Sequence, residues 1–215
     1  MILLSIMYQV KEIFYTLQGE GARTGRPSVF CRFTGCNLWS GLEKDRNDAV
    51  CKFCDTDFVG TNGTGGGKFK TARELSEAID AQWKNTNPNK YVVCTGGEPA
   101  LQIDKELIDA LHKKGFEIAI ETNGTLELPI GIDWITVSPK SDSILRIVQG
   151  NELKLVYPQN DANPQDFYDL NFDQFYLQPL DNELKSENTQ KTIQYCLENP
   201  KWKISLQTHK YIGIR

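Results

Sequence analysis

A short apolar run that stops in a cluster of glycine and polar residues recurs along this chain. That recurrence restricts the fold more than any other feature. Tyr91-Val-Val-Cys94 runs into Thr95-Gly96-Gly97-Glu98-Pro99, residues 116–120 into Glu121-Thr122-Asn123-Gly124, and residues 134–137 into Ser138-Pro139-Lys140. Residues 152–156 and 174–177 are further runs, the second leading to Gln178-Pro179-Leu180-Asp181, and residues 203–207 are a last one. Residues 10–17 and 28–33 read as strands upstream. Helical spacing falls between several of these runs. In residues 71–83, Thr71 caps, Glu74 completes a capping box, and Leu75, Ala78, Ile79 and Trp83 share a face. Residues 104–114 are stopped by Gly115, and residues 189–198 form a third helix.

Repeated β–α units build a parallel sheet, and such sheets place ligands at the strand C-termini. The expected fold is α/β: a partial, truncated TIM-like (β/α)6 barrel of parallel strands, with its site at their C-terminal rim. About six strands have clear support, short of the eight of a full barrel. Residues 1–215 are expected to form a single domain.

Cys36, Cys51 and Cys54 lie in the loop after the second run. A C-x-x-C turn lets two thiolates converge on one metal centre, and thiolates suit soft metals and iron–sulfur clusters. A structural zinc site is closed by four protein ligands, so a centre with three keeps one position for a substrate or cofactor. Cys31, Cys94 and Cys196 read as small buried hydrophobes.

The stretch Met1-Ile-Leu-Leu-Ser-Ile-Met-Tyr8 is apolar but short, with no basic leader and no small-residue cleavage site, so no signal peptide is expected. No apolar run approaches the roughly 18–20 residues that span a bilayer. A cytoplasmic location is expected, where thiols stay reduced and serve metals rather than disulfides. The net charge of -4 provides no footprint for nucleic acid.

Other segments leave alternatives open. Gln18-Gly19-Glu20-Gly21 is a solvated turn or a ligand-facing one. Arg32, among apolar neighbours, either snorkels outward or holds an anion. Gly96-Gly97 is an ordinary βα turn or a place where backbone approaches a ligand. Residues 41–48 read as a charged surface excursion or short helix. Residues 60–67 read as a flexible glycine-rich connection, since no Lys-Ser/Thr follows as in a nucleotide-binding loop.

The three-cysteine loop together with Gly96-Gly97-Glu98-Pro99 resembles the radical S-adenosylmethionine superfamily, although fourteen residues separate Cys36 from Cys51 where the usual gap is three. Further motifs run from Phe14-Tyr-Thr-Leu-Gln-Gly-Glu-Gly21 through Cys31-Arg-Phe-Thr-Gly-Cys-Asn-Leu-Trp39 and Cys51-Lys-Phe-Cys-Asp-Thr-Asp57. Thr95 to Pro99, Glu121 to Gly124, Ser138 to Lys140 and Thr208-His-Lys210 extend the match over nearly the whole chain, which is similar to the 7-carboxy-7-deazaguanine synthase family. That resemblance implies conversion of 6-carboxy-5,6,7,8-tetrahydropterin to 7-carboxy-7-deazaguanine with loss of ammonia, on the route to queuosine. It also implies a homodimer, a flavodoxin or ferredoxin as electron donor, and a hydrogen abstraction begun by reductive cleavage of S-adenosylmethionine.

The resemblance implies roles residue by residue. Cys36, Cys51 and Cys54 would hold a 4Fe–4S cluster. Phe53, Asp55, Gly97, Glu98, Ser138, Pro139, Lys140, Gln178, Pro179, Leu180 and Asp181 would bind S-adenosyl-L-methionine. Leu17, Gln18, Gly19, Glu20, Arg32 and Thr95 would bind the pterin, Arg32 through its carboxylate. Arg215 would reach the substrate through the terminal carboxylate. Thr56, otherwise a turn-capping residue, would be a Mg²⁺ ligand, since that ion keeps several waters and accepts a single hydroxyl. The competing readings are a zinc module, for which His112 and His209 both lie far along the chain from the thiols, and a radical enzyme that activates a partner protein.

Overall fold

The computed structural model describes residues 7–84, 86 and 88–215. Residues 1–6 of the apolar opening stretch lie outside the described residues. Among the described residues, nine strands form one sheet: β1 (Tyr8–Leu17), β2 (Pro27–Phe33), β3 (Gly67–Phe69), β4 (Lys90–Gly96), β5 (Phe116–Thr122), β6 (Trp134–Val137), β7 (Gln149–Tyr157), β8 (Asn171–Pro179) and β9 (Trp202–Ile204). Their order is β3-β1-β2-β4-β5-β6-β7-β8-β9. Every pairing from β2 to β9 is parallel, while β1 runs antiparallel to both its neighbours. The array stays open between β9 and the β3–β1 edge, as a truncated barrel requires.

Helices α1 (Ala72–Asp80), α2 (Lys105–Lys113) and α3 (Lys185–Glu198) follow strands, and α4 (Thr208–Ile212) is a short one near the end of the sequence. The links from β5 to β6 and from β6 to β7 carry no helix, which departs from a strict (β/α)6 repeat. They are short and hold Gly124, Pro129, Gly131 and Pro139, residues that oppose helix formation. Thr71 caps α1 by accepting from the Glu74 amide at 3.1 Å, while the Glu74 carboxylate reaches the Lys70 amide at 2.7 Å. The helix stops at Asp80, short of the predicted Trp83, yet that indole still packs edge-on against Tyr15 and Phe116.

Strand alternation sorts side chains onto two faces. Val29, Cys31 and Phe33 of β2, Val92 and Cys94 of β4, and Ile118 and Ile120 of β5 point outward into the main core beneath α1 and α2. The intervening residues face the barrel interior. Deep inside, Phe14, Phe30, Tyr91, Val93 and Ala119 make an apolar layer, with Phe14 stacked on Phe30 at 5.6 Å. One step further along the same face stand Glu12, Arg32, Thr95 and Glu121. Strand register pairs Glu12 with Arg32 and Arg32 with Thr95. A polar layer therefore rests on an apolar one, and a third core holds β7, β8, β9 and α3 together.

The glycine-rich segment is not a free connection. The Gly63 amide donates to the Lys11 carbonyl at 2.9 Å and the Ile13 amide to the Thr64 carbonyl at 2.7 Å. A Cβ on Gly66 would stand 2.1 Å from the Lys11 carbonyl oxygen. The glycines let this segment lie against β1 and cover its edge.

Candidate functional site

The polar layer opens into a cavity of about 580 Å³. It is closed at the strand C-termini by the cysteine loop and at the opposite end by residues 18–26. That second closure places the Gln18–Gly21 turn away from the rim where the other strand ends gather. Arg23 lies over the Trp134 ring and Arg26 over the Tyr91 ring, both near strand starts, and both arginines pair with Glu117. The Ala22 amide donates to Glu152 at 3.0 Å. Gln18 and Glu20 are thereby carried inward from below.

The cysteine loop is anchored by its own insert. Trp39 and Phe58 meet edge-on at 5.5 Å, both buried. Arg46, from the 3-10 helix Glu43–Asp48, lies over the Trp39 ring at 4.1 Å. Its guanidinium donates to the Lys52 carbonyl at 2.9 Å and to the Cys54 carbonyl at 3.2 Å. The charged excursion thus holds the C-x-x-C turn by its backbone. The Asn37 amide side chain donates to Thr125 and accepts from Asn123, tying the loop to the end of β5.

Cys36, Cys51 and Cys54 all line the cavity, and all six cysteines are free thiols. Burial raises the Cys36 thiol, opposed by the Leu38 and Trp39 amides, and burial also raises Cys54, opposed by the Thr56 amide. Ligation to a metal therefore releases protons. Among the described residues, no three His, Cys, Asp or Glu gather closely enough for a single ion. A 4Fe–4S cluster takes one thiolate per iron, and three thiols lining one cavity suit it with one iron left for a further ligand.

Around the rim, Phe53, Asp55, Thr56, Gly97, Ser138, Lys140 and the stretch Gln178–Asp181 share the cavity with the thiols. Gly97 has no room for a side chain, because its Cβ would stand 2.1 Å from the Gly35 carbonyl oxygen. Lys140 donates to the Ser138 carbonyl and hydroxyl at 2.6 and 2.8 Å; burial lowers its pKa, against the pull of Cys51 and Cys54. Two expected residues do not line the cavity. Pro139 is buried, and Glu98 turns inward to accept from Ala100, Thr122 and Asn123 at 2.7–2.9 Å. Burial raises the Glu98 carboxyl despite those donors. Its carboxylate builds the turn rather than facing a ligand.

The lower half of the cavity is lined by Leu17, Gln18, Gly19, Glu20, Arg32, Thr95 and Arg215. Three further residues there escaped the sequence reading. Glu121 accepts from Gln18 at 3.1 Å and from Thr95 at 3.2 Å. Lys154 pairs with Glu20 at 2.5 Å and lies 3.7 Å from Glu121. His209 sits over Gly19, where a Cβ would be 2.2 Å from its Nδ1. The alternation Glu152-Leu-Lys154 within a strand was the readable signal for Lys154, and the Thr208-His-Lys210 motif was the signal for His209.

The chain is 62% identical over 208 residues to the 7-carboxy-7-deazaguanine synthase of Bradyrhizobium diazoefficiens, covering 97% of this chain and 99% of that one. The chain belongs to the 7-carboxy-7-deazaguanine synthase family. The synthase of Burkholderia multivorans is 57% identical over 207 residues, covering 96% and 99%. Residues 46–148 match the Radical SAM superfamily. The crystal structure of QueE from Escherichia coli is similar to this one with a TM-score of 0.69, 28% identity, and coverage of 94% and 95%. As members of a radical S-adenosylmethionine family, such synthases use a 4Fe–4S cluster and S-adenosylmethionine, and the cavity described above has three thiols and a glycine-walled rim to receive them.

Proposed function

We propose that this synthase converts 6-carboxy-5,6,7,8-tetrahydropterin to 7-carboxy-7-deazaguanine with release of ammonia, as a carbon–nitrogen lyase of queuosine biosynthesis. The observation that carries the reading is that one cavity joins the three thiols to Arg32, Glu20, Glu121 and Lys154, groups suited to a charged, hydrogen-bonding heterocycle. Bound cluster and S-adenosylmethionine supply the radical chemistry, as cofactors do. The chain supplies position. Cys36, Cys51 and Cys54 hold the cluster, while Phe53, Asp55, Gly97, Ser138, Lys140 and Gln178 to Asp181 hold S-adenosylmethionine. The Arg32 guanidinium takes the pterin carboxylate, and Gln18, Glu20 and Thr95 meet the polar edge of its ring. Thr56 offers its hydroxyl to a Mg²⁺ ion beside that carboxylate. The ring contracts as its amine nitrogen departs, and no net oxidant is consumed.

We further propose that residues 1–215 act as one radical S-adenosylmethionine domain, that the enzyme is a homodimer, and that a flavodoxin or ferredoxin reduces it in the cytoplasm. Among the described residues, no helix is long and apolar enough to cross a membrane. The deciding experiment is anaerobic incubation of cluster-loaded protein with the carboxytetrahydropterin, S-adenosylmethionine, reductant and Mg²⁺. Formation of 7-carboxy-7-deazaguanine and ammonia is expected, and turnover conditions that yield neither reject the assignment.

A further inference from the structure

Arg215 occupies a built seat along the interior face of β1. Glu12, Phe14 and Thr16 stand at alternate positions of that strand and so point the same way. The Arg215 guanidinium pairs with Glu12 through Oε2, lies over the Phe14 ring at 4.7 Å, and donates to the Thr64 hydroxyl at 3.1 Å. The Thr16 hydroxyl donates to a main-chain carboxylate oxygen of Arg215 at 2.7 Å, so that charge is bound on its own donor beside the side-chain cluster. The other oxygen of Glu12, Oε1, accepts from Nε of Arg32 at 2.9 Å. One carboxylate is therefore shared by two guanidiniums.

The sharing has two effects. Glu12 takes Nε of Arg32, and that leaves the paired Nη groups at the far end of the guanidinium as the fork for an incoming carboxylate. Alone, Glu12 would also cancel the charge of Arg32. With Arg215 present, the three side chains sum to one positive charge. The side chains of Glu12 and Arg32 are only 13% and 19% exposed, while that of Arg215 is 53% exposed, so solvent weakens its share of the balance without removing it.

We propose that Glu12 and Arg215 are positioning residues for substrate recognition: Glu12 aims Arg32, and Arg215 neutralises Glu12 so that Arg32 keeps its charge for the pterin carboxylate. This rests on the reading of Arg32 as the partner of that carboxylate. Here the side chain of Arg215 serves recognition at one remove, through Glu12.

The test compares two fluorescent probes, 6-carboxypterin and pterin, titrated anaerobically into the holoenzyme with S-adenosylmethionine bound. Arg215→Met is expected to weaken 6-carboxypterin about tenfold, one charge interaction in a partly dehydrated site, and to leave pterin unchanged. Adding Glu12→Gln to Arg215→Met restores the net charge and is expected to recover most of that loss. In turnover, the single variant raises KM for the carboxytetrahydropterin while kcat stays within about twofold. Equal loss for both probes, no loss for either, or no recovery in the double variant overturns the inference. A wild-type protein that binds both probes equally overturns the assignment of Arg32 itself, and this inference with it. Loss of carboxylate preference in Arg32→Met, with Arg215→Met unaffected, leaves the function standing and sinks this inference alone.

Discussion

The ammonium of Lys154 lies 2.5 Å from the carboxylate of Glu20, across 134 residues of sequence. It also faces Glu121, and the buried Glu152 lies behind it outside the cavity lining, so one buried cation serves three acids. Burial works against the charge of Glu20, but Lys154 and the Gln207 hydrogen bond outweigh it and hold the carboxyl down to about 2. Burial likewise opposes the Lys154 charge, and Glu121, Glu20 and Glu152 outweigh it and hold the ammonium well above the usual lysine range.

Lys154→Met is expected to destabilise the fold by about 3–5 kcal/mol, because it leaves buried carboxylates without their cation. The sign of the pH dependence follows. The contribution of Glu20, a lowered carboxylate, is complete above its unfolded pKa of about 4.3 and is lost as pH falls toward 2. The contribution of Lys154, a raised ammonium, is complete below about 10.4 and fades only at higher pH. Denaturant unfolding of both proteins across pH should show a gap that is flat from about pH 5 to 10 and narrows in acid. A gap that widens in acid contradicts the pairing.

Cys51→Ala removes a buried thiol that lines the cavity. The variant is expected to purify without a 4Fe–4S cluster and to be inactive. Iron and acid-labile sulfide analysis after anaerobic reconstitution checks this, and one zinc with no sulfide in the wild-type protein would reject the cluster.

Thr56→Ala removes the hydroxyl assigned to Mg²⁺ and leaves the thiols in place. It should keep the cluster spectrum and need a higher Mg²⁺ concentration for half-maximal rate. An unchanged metal titration removes Thr56 from the ion.

Arg46→Ala cuts the two hydrogen bonds from the insert to the C-x-x-C turn and the contact with Trp39. We expect a stability loss of about 1 kcal/mol and faster loss of the cluster in air, followed by absorbance. A cluster as durable as in the wild type would show the insert to be idle.

Much of this was legible in the residues because local chemistry decides it. Thr71 and Asp104 cap their helices as their types suggest, and the polar strand ends gather where parallel strands must put them. What escaped depends on partners remote in sequence. Lys154 reads as an ordinary strand lysine until Glu20 is brought to it. The glycines at 63–66 read as slack until β1 lies beneath them. The resemblance assigns Glu98 to S-adenosylmethionine, and nothing local to it reveals that Thr122 and Asn123, two dozen residues on, supply donors that turn its carboxylate inward. The antiparallel direction of β1 was equally hidden, and with it the placing of Gln18 and Glu20 at the lower end of the cavity.

Thr208 reaches back 189 residues to bond the Gly19 carbonyl through its hydroxyl, and its amide does the same. A chain leaving the ribosome lays down β1 first and must leave that carbonyl open until α4 emerges. During synthesis, then, the cavity still lacks this wall when the cysteine loop has already emerged. Closure is thus a late event set by chain order: the cavity is sealed at Gly19, and Asp55 of the cysteine loop gains Lys210, only when α4 arrives.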